Sequence, residues 1–443
     1  MSVGPAVRRS VRTSVRLLSC LLAASCAGAD TRTTLTVDNW ADWSEQELEQ
    51  AHVRRFEAQH PGVRVSLTAA NNGPEYRDLV LTSIAAGTPP DVFLMDNIDV
   101  PAFVRAGVTL DLAPYAGRVG LRLEDFDPRV LAIFRRDSAL FALPKGFTPM
   151  LIAYNKDVFD RAGVPYPRYD WTWDEFRAAA RALTRDTDGD GAVDTWGFAL
   201  DRRDFLWIPS LWGLGGDVLC PDGTHASGCL DAPATVRAFR ELTALATRDS
   251  VTPRFYGLRR SLGDQLRNFY AGRVAMVTAG HFWLPTFRPH VAAGRLRIGF
   301  AMIPHAADVA PATVLYASGY AVPRGVRHKR LSVQLAAWMA DSVAQVTRAA
   351  GSLEIPALTR IAAQIARADT LGWEEAFNRA VPYGRLPWGS RIEKWREVED
   401  ILPDIMDRVI MRGDDVETVL REVAKRIDAA LGWRGGPAVR GRR

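Results

Sequence analysis

The run Asp186-Thr-Asp188-Gly-Asp190-Gly191-Ala-Val-Asp194 sets carboxylates at its first, third, fifth and ninth positions, with glycine at the sixth. Hard oxygen ligands at alternate positions can wrap a calcium ion, and the glycine permits the sharp turn between them. The twelfth position is Gly197 in place of a bidentate glutamate. A calcium site here would be structural and would need a carboxylate from elsewhere. Without a metal, the same residues read as a solvated helix-to-strand turn, because Asp and Gly suit turns. Cys220 and Cys229 enclose the turn formers Pro221-Asp-Gly223 and Ser227-Gly228, which in an exported chain predicts a disulfide-closed loop. His225 alone lies between them, too little for a zinc site. No Ser–His–Asp or HExxH signature and no motif pairing two acids is present. No catalytic residue and no required cofactor is therefore assigned, and the chain is not read as an enzyme.

The other two cysteines belong to a leader. Arg8, Arg9, Arg12 and Arg16 precede a short apolar run, Leu17 to Ala24. That run falls well below the ~20 residues needed to span a bilayer, and the arrangement is that of a secretory signal. Ala23-Ala-Ser-Cys26 resembles the lipobox of bacterial lipoproteins, in which the cysteine is acylated and becomes the new first residue. Leu17-Leu-Ser-Cys20 is a second match with almost no apolar stretch ahead of it. The expectation is a signal peptide over 1–25, a lipid on Cys26, a tether over 26–34, and work outside the cytoplasm as a membrane-anchored protein.

The chain has 443 residues. One hydrophobic core usually stops growing near ~250–300 residues, so two lobes are expected. The formal charge of +5 comes largely from the leader's four arginines, and the tail from Arg434 to Arg443 adds four more. The body is near neutral, which gives no case for a nucleic-acid partner. The basic tail over 436–443 reads as a disordered end.

Elements that could position a site follow in alternation. Leu35–Asn39, Val63–Leu67 and Val92–Met95 read as strands, and 46–60 and 76–86 as helices. Helices are also predicted at 173–184, 232–247, 262–271 and over much of 393–431, with strands at Val274–Val277, Ile298–Ile303 and Gly319–Val322. Thr172 with Glu175 offers a capping box for the third helix. The alternation indicates an α/β fold.

Five segments, in order, resemble the extracellular solute-binding proteins of ATP-driven (ABC) importers, in particular the carbohydrate-binding branch related to the maltose-binding protein. They are Phe56-Glu-Ala-Gln-His-Pro-Gly-Val-Arg-Val65, then Tyr76 through Ala86-Gly-Thr-Pro-Pro-Asp-Val92, then Tyr154-Asn-Lys-Asp-Val-Phe159 with Ala162-Gly-Val164 and Thr172-Trp-Asp-Glu-Phe176, then Leu211-Trp-Gly213 with Gly215-Gly216, and Phe269-Tyr-Ala-Gly-Arg-Val-Ala-Met276. The likeness runs from about 35 to 360. It implies a periplasmic-binding-protein type II fold: two discontinuous α/β lobes, a hinge and a ligand cleft between them. The expected first lobe is 31–142 plus 275–325, the second 146–272 plus 330–435, with crossings near 141–148, 270–278 and 323–331. It also implies a monomer that passes a carbohydrate to separate permease subunits.

The resemblance places candidate ligand residues on loops that face the cleft. A sugar ring offers apolar faces to aromatic rings and hydroxyls to carboxylates and guanidiniums. Trp40, Tyr76, Phe147, Trp212, Trp283, Tyr316 and Trp388 are the candidate stacking residues, Asp96 and Arg391 the polar partners, and Gly319 the close-approach position. Burial in a lobe core is the rival reading for each aromatic. A glycerol phosphate, another polyol or a sensory role on the same fold are the alternatives in function, with a secreted carbohydrate-active enzyme behind them.

Overall fold

A computed structural model describes residues 31–40, 43–70, 74–253 and 262–434. The signal peptide expected at 1–25, Cys26 and the basic tail at 436–443 lie outside the described residues. The elements that bear on the site are β1 (Thr33–Asn39), α1 (Trp43–Gln59), β2 (Val63–Ala69), α2 (Pro74–Ala85), β3 (Val92–Asp96), β4 (Leu143–Asn155), α3 (Trp173–Leu183), α4 (Asp204–Gly213), α5 (Pro233–Thr247), β5 (Met276–Gly280), β6 (Ile298–Ala301), β7 (Thr313–Ala321), α6 (Lys329–Met339), α7 (Ser342–Ala350), α8 (Trp395–Ile401) and α9 (Val416–Leu431).

The main sheet runs β2-β1-β3-β7-β4-β5, with β6 also on β4 and a two-residue strand, Gly384–Arg385, on β7. β1 pairs in parallel with β2 and β3, as βαβ connections require, while β7 is antiparallel to β3 and β4. β3 is apolar and buried from Val92 to Met95, the pattern of a strand covered on both faces. Strand β4 holds the two lobes together. Its first half, Leu143 to Pro149, pairs with β7; its second half, Met150 to Tyr154, pairs with β5, and Ile152 to Asn155 with β6. All thirteen of its residues are buried.

This pairing corrects the expected division of the chain. Segment 275–301 was assigned to the first lobe, but β5 and β6 sit on the far half of β4, and isolated bridges Trp196–Val274 and Ala199–Val277 tie them to the second-lobe segment. Segment 330–350 was assigned to the second lobe, but α6 and α7 pack on the first. Arg348 makes a buried two-point ion pair with Glu49 of α1 (2.6 and 2.8 Å), Arg55 pairs with Asp341 at 2.8 Å, and Trp338 Nε1 donates to His52 O. The family resemblance implied where the chain crosses, whereas strand register decides which lobe a segment joins.

Local signals behave as their chemistry requires. Thr172 Oγ1 accepts from Glu175 N while Glu175 accepts from Thr172 N at 2.7 Å, closing the capping box of α3. Asn155 Oδ1 caps the helix after β4 through Asp157 N and Val158 N. Cys220 and Cys229 are disulfide-bonded, with Cα atoms 5.2 Å apart. No helix among the described residues is long and apolar enough to cross a membrane.

Candidate ligand-binding cleft

Where the two lobes meet, a cavity of about 590 Å³ opens between the C-terminal end of β3, the β4–β7 crossing, α4, the turn after β5 and the 387–399 segment. Eight aromatic residues line it: Trp40, Phe147, Phe205, Trp212, Phe282, Tyr316, Trp388 and Trp395. Of the ten residues expected at a ligand site, Trp40, Asp96, Phe147, Trp212, Tyr316 and Trp388 are brought together here.

Helix α4 presents Asp204, Phe205, Ile208 and Trp212 to the cavity, a spacing of one, three and four residues that keeps them on one helical face. Asp217, just past this helix, organises the aromatic wall. Its Oδ1 accepts from Trp212 Nε1 at 2.8 Å and from Trp388 Nε1 at 2.7 Å, and its Oδ2 accepts from Arg385 Nη2 at 2.8 Å. Arg385 lies 4.2 Å over the Trp212 ring and Arg391 4.6 Å over the Trp388 ring. One carboxylate thus holds two indoles in place, and each indole carries a guanidinium over one face. On the first-lobe side Trp40 packs edge-on against Tyr76 (5.1 Å between centroids).

Charged groups from both lobes complete the lining. Lys145, on the first half of β4, sits between Glu45 and Glu354. Burial opposes its charge, but the two carboxylates outweigh burial and hold its pKa above the ordinary value. Asp96 accepts from Asn97 Nδ2 at 2.6 Å and Ile98 N at 3.2 Å. Burial, aided by the Asp99 charge, pushes it up to about 7. Burial also pushes Asp204 up to about 8, with Glu399 adding repulsion. Arg396 pairs with Asp99 at 3.0 Å and lies 3.5 Å from Glu399. Tyr316 OH donates to Phe205 O at 3.2 Å and packs edge-on to the Phe205 ring.

Four expected residues do not line the cavity. Tyr76 is buried behind Trp40, its hydroxyl donating to Asp38 O and accepting from Leu94 N. Trp283 is 3% exposed, whereas its neighbour Phe282 is 39% exposed and lines the cleft. The short 3-10 turn His281–Trp283 sends adjacent side chains in different directions, so the expectation missed by one residue. Gly319 is a packing position: a Cβ there would meet Leu143 O at 2.9 Å. Arg391 acts at one remove, through the Trp388 ring and a hydrogen bond to Pro221 O.

The cleft also contains groups that sequence reading did not select: Asp204, Glu399, Arg396, Lys145, Glu45 and Glu354. No local motif joins them, since they come from α1, β4, α4, α8 and the loop after α7. In the Asp-rich loop, Asp186, Asp188 and Asp194 each bring a carboxylate oxygen within 4.8 Å of the others, all exposed, and Asp190 falls outside the group. Backbone N–H groups of Gly191 and Gly189 already bond Asp186, and the Thr187 hydroxyl and N–H bond Asp194; these bonds hold both carboxyls below the usual carboxylate range.

The fold and its interlobe cleft define a binding protein of the type II periplasmic class. The chain belongs to the bacterial extracellular solute-binding proteins, whose family model matches residues 40–346. A candidate binding protein of Brucella abortus (strain 2308) is 24% identical over 426 residues, covering 94% of this chain and 96% of its own. Among solved structures, the ABC substrate-binding protein Lmo0181 of Listeria monocytogenes, in complex with cycloalternan, superposes with a TM-score of 0.79 at 23% identity, covering 91% of this chain and 100% of that one. The GacH receptor of Streptomyces glaucescens, studied with acarbose, gives a TM-score of 0.77 at 21% identity, covering 90% and 99%. The family and these neighbours are binding proteins, not enzymes.

Proposed function

We propose that this protein is the extracytoplasmic receptor of an ABC importer that takes a carbohydrate into its interlobe cleft and delivers it to a separate permease. The carrying observation is the cleft wall: eight aromatic rings facing hydrogen-bonding carboxylates around about 590 Å³. Flat rings suit the C–H faces of a sugar, and carboxylates suit its hydroxyls. The oligosaccharides named for two structural neighbours support the same class of ligand. The receptor does no chemistry in this reading. A lipid on Cys26 would hold it near the permease, and it would act as a monomer.

A glycerol phosphate fits the cleft less well. A phosphate wants free arginines, lysines or helix N-termini. Here both lining cations, Lys145 and Arg396, are already paired with carboxylates.

Thermal-shift screening of the mature protein against mono- and oligosaccharides tests the reading. A ligand bound only by the folded state, at 100 times its dissociation constant, adds about 2.7 kcal/mol of stability. A saccharide hit is expected; stabilisation by glycerol phosphate and by no saccharide would contradict it.

A further inference from the structure

The cleft holds more acidic side chains than a neutral sugar needs. Five carboxylates line it, Glu45, Asp96, Asp204, Glu354 and Glu399, against two cations. Neither cation is spare: Lys145 is held by Glu45 and Glu354, and Arg396 by Asp99 with Glu399 close by. Asp204 is 5% exposed, yet it borders the cavity and has no ion-pair partner among the described residues. Backbone N–H groups of Phe205 and of Asp204 itself are what bond it. A buried carboxylate without a countercharge is costly, and a ligand that brings the charge removes that cost. The raised pKa values of Asp204 and Asp96 are the same tension seen in the free protein.

The missing charge is unlike a metal ion. The described acidic groups close enough to share one metal are Asp186, Asp188 and Asp194, which do not line the cleft. An organic cation fits better. It can meet separated carboxylates while its body lies on aromatic rings, whose faces attract a cation.

We infer that the cleft selects an amine-bearing saccharide, with its ammonium seated between Asp204 and Glu399. The inference rests on the carbohydrate reading above and narrows it. The charged and titratable groups facing that seat are Asp96 from β3, Asp99 just after it, Tyr316 from β7, and Arg396 and Asp400 from α8, beside Asp204 and Glu399 themselves.

Calorimetric titration at pH 7 with glucosamine, N-acetylglucosamine, glucose and their β-1,4-linked disaccharides tests it. Free-amine sugars are expected to bind about tenfold tighter than their neutral counterparts, a difference of about 1.4 kcal/mol. Asp204→Asn and Glu399→Gln, each checked for folding by near-ultraviolet circular dichroism, are expected to shrink that ratio to about twofold or less. Neutral sugars binding as well as or better than amines would overturn the inference and leave the sugar receptor standing. An amine preference that survives both substitutions would overturn the assigned seat. No binding by any sugar of the panel would overturn this inference and the reading it rests on.

Discussion

At the scale of single residues, Asp217 does more for the cleft than any aromatic it holds. Its two oxygens accept from Trp212, Trp388 and Arg385 together. Asparagine keeps the shape but turns one acceptor into a donor facing another donor. Hydrogen bonds to a charged group are worth ~1.5–3 kcal/mol, so Asp217→Asn should weaken ligand binding by about tenfold or more while the protein stays folded. Titration calorimetry with the best saccharide, alongside circular dichroism, checks this. Asp204 makes a pH prediction. Its pKa is raised by burial to about 8 in the folded protein. Below about pH 4 both folded and unfolded chains hold its proton, and between about 4 and 8 only the folded chain does. Stability of the free protein therefore falls as pH rises through this window, by an amount on the order of a few kcal/mol from this group. Urea denaturation at pH 5 and pH 8.5 should show the fall, and Asp204→Asn should reduce it, leaving the part that the raised Asp96 contributes. An unchanged slope in the variant would remove Asp204 as the cause.

At the scale of elements, the disulfide loop and the cleft are mechanically joined. Cys220 and Cys229 close a loop whose Pro221 O accepts from Arg391, and Arg391 covers Trp388. Asp428 of α9 holds the same loop through Ala226 N and Ser227 N. Replacing both cysteines by serine should cost up to about 3 kcal/mol of stability, from the short closed loop. It should also weaken binding a few-fold through the loosened Arg391, readable by denaturation and titration on the same sample. Hydrophobic pattern made β1, β2, β3 and α3 legible in the sequence, because β1 and β2 alternate, β3 is a short continuous apolar run and α3 carries its own cap. It failed on β4, which no predicted strand covers. Pro144, Gly146 and Pro149 look like breakers, yet all three lie in the strand, and a Cβ on Gly146 would collide with Glu354. Five of the eight aromatics that line the cavity were legible because the family resemblance placed them on cleft-facing loops, while Phe205, Phe282 and Trp395 were not. The acidic half was not: Asp204 and Glu399 are separated by nearly half the chain, and only the tertiary fold brings them to one wall.

At the scale of the whole molecule, β4 and β7 are the continuous strands between the lobes, and the cleft lies where they pass. Lys145, Phe147 and Thr148 of β4, with Val314, Tyr316 and Ser318 of β7, line the cavity from these strands. In the proposed function a ligand there would touch the hinge as well as both lobes, so closing on it would need few changed dihedrals. The 387–399 segment spans the same gap, bonded to the first lobe through Arg396–Asp99 and to the second through Arg391–Pro221. The central claim is that a saccharide sits against the indoles of this cleft. Its most direct measurement is the intrinsic tryptophan fluorescence of the mature protein titrated with saccharides, in the native protein and in Trp388→Leu. The account predicts a saturable change in the native protein that is lost or strongly weakened in the variant. A panel of saccharides that leaves the fluorescence unmoved, or a response identical in Trp388→Leu, would contradict it.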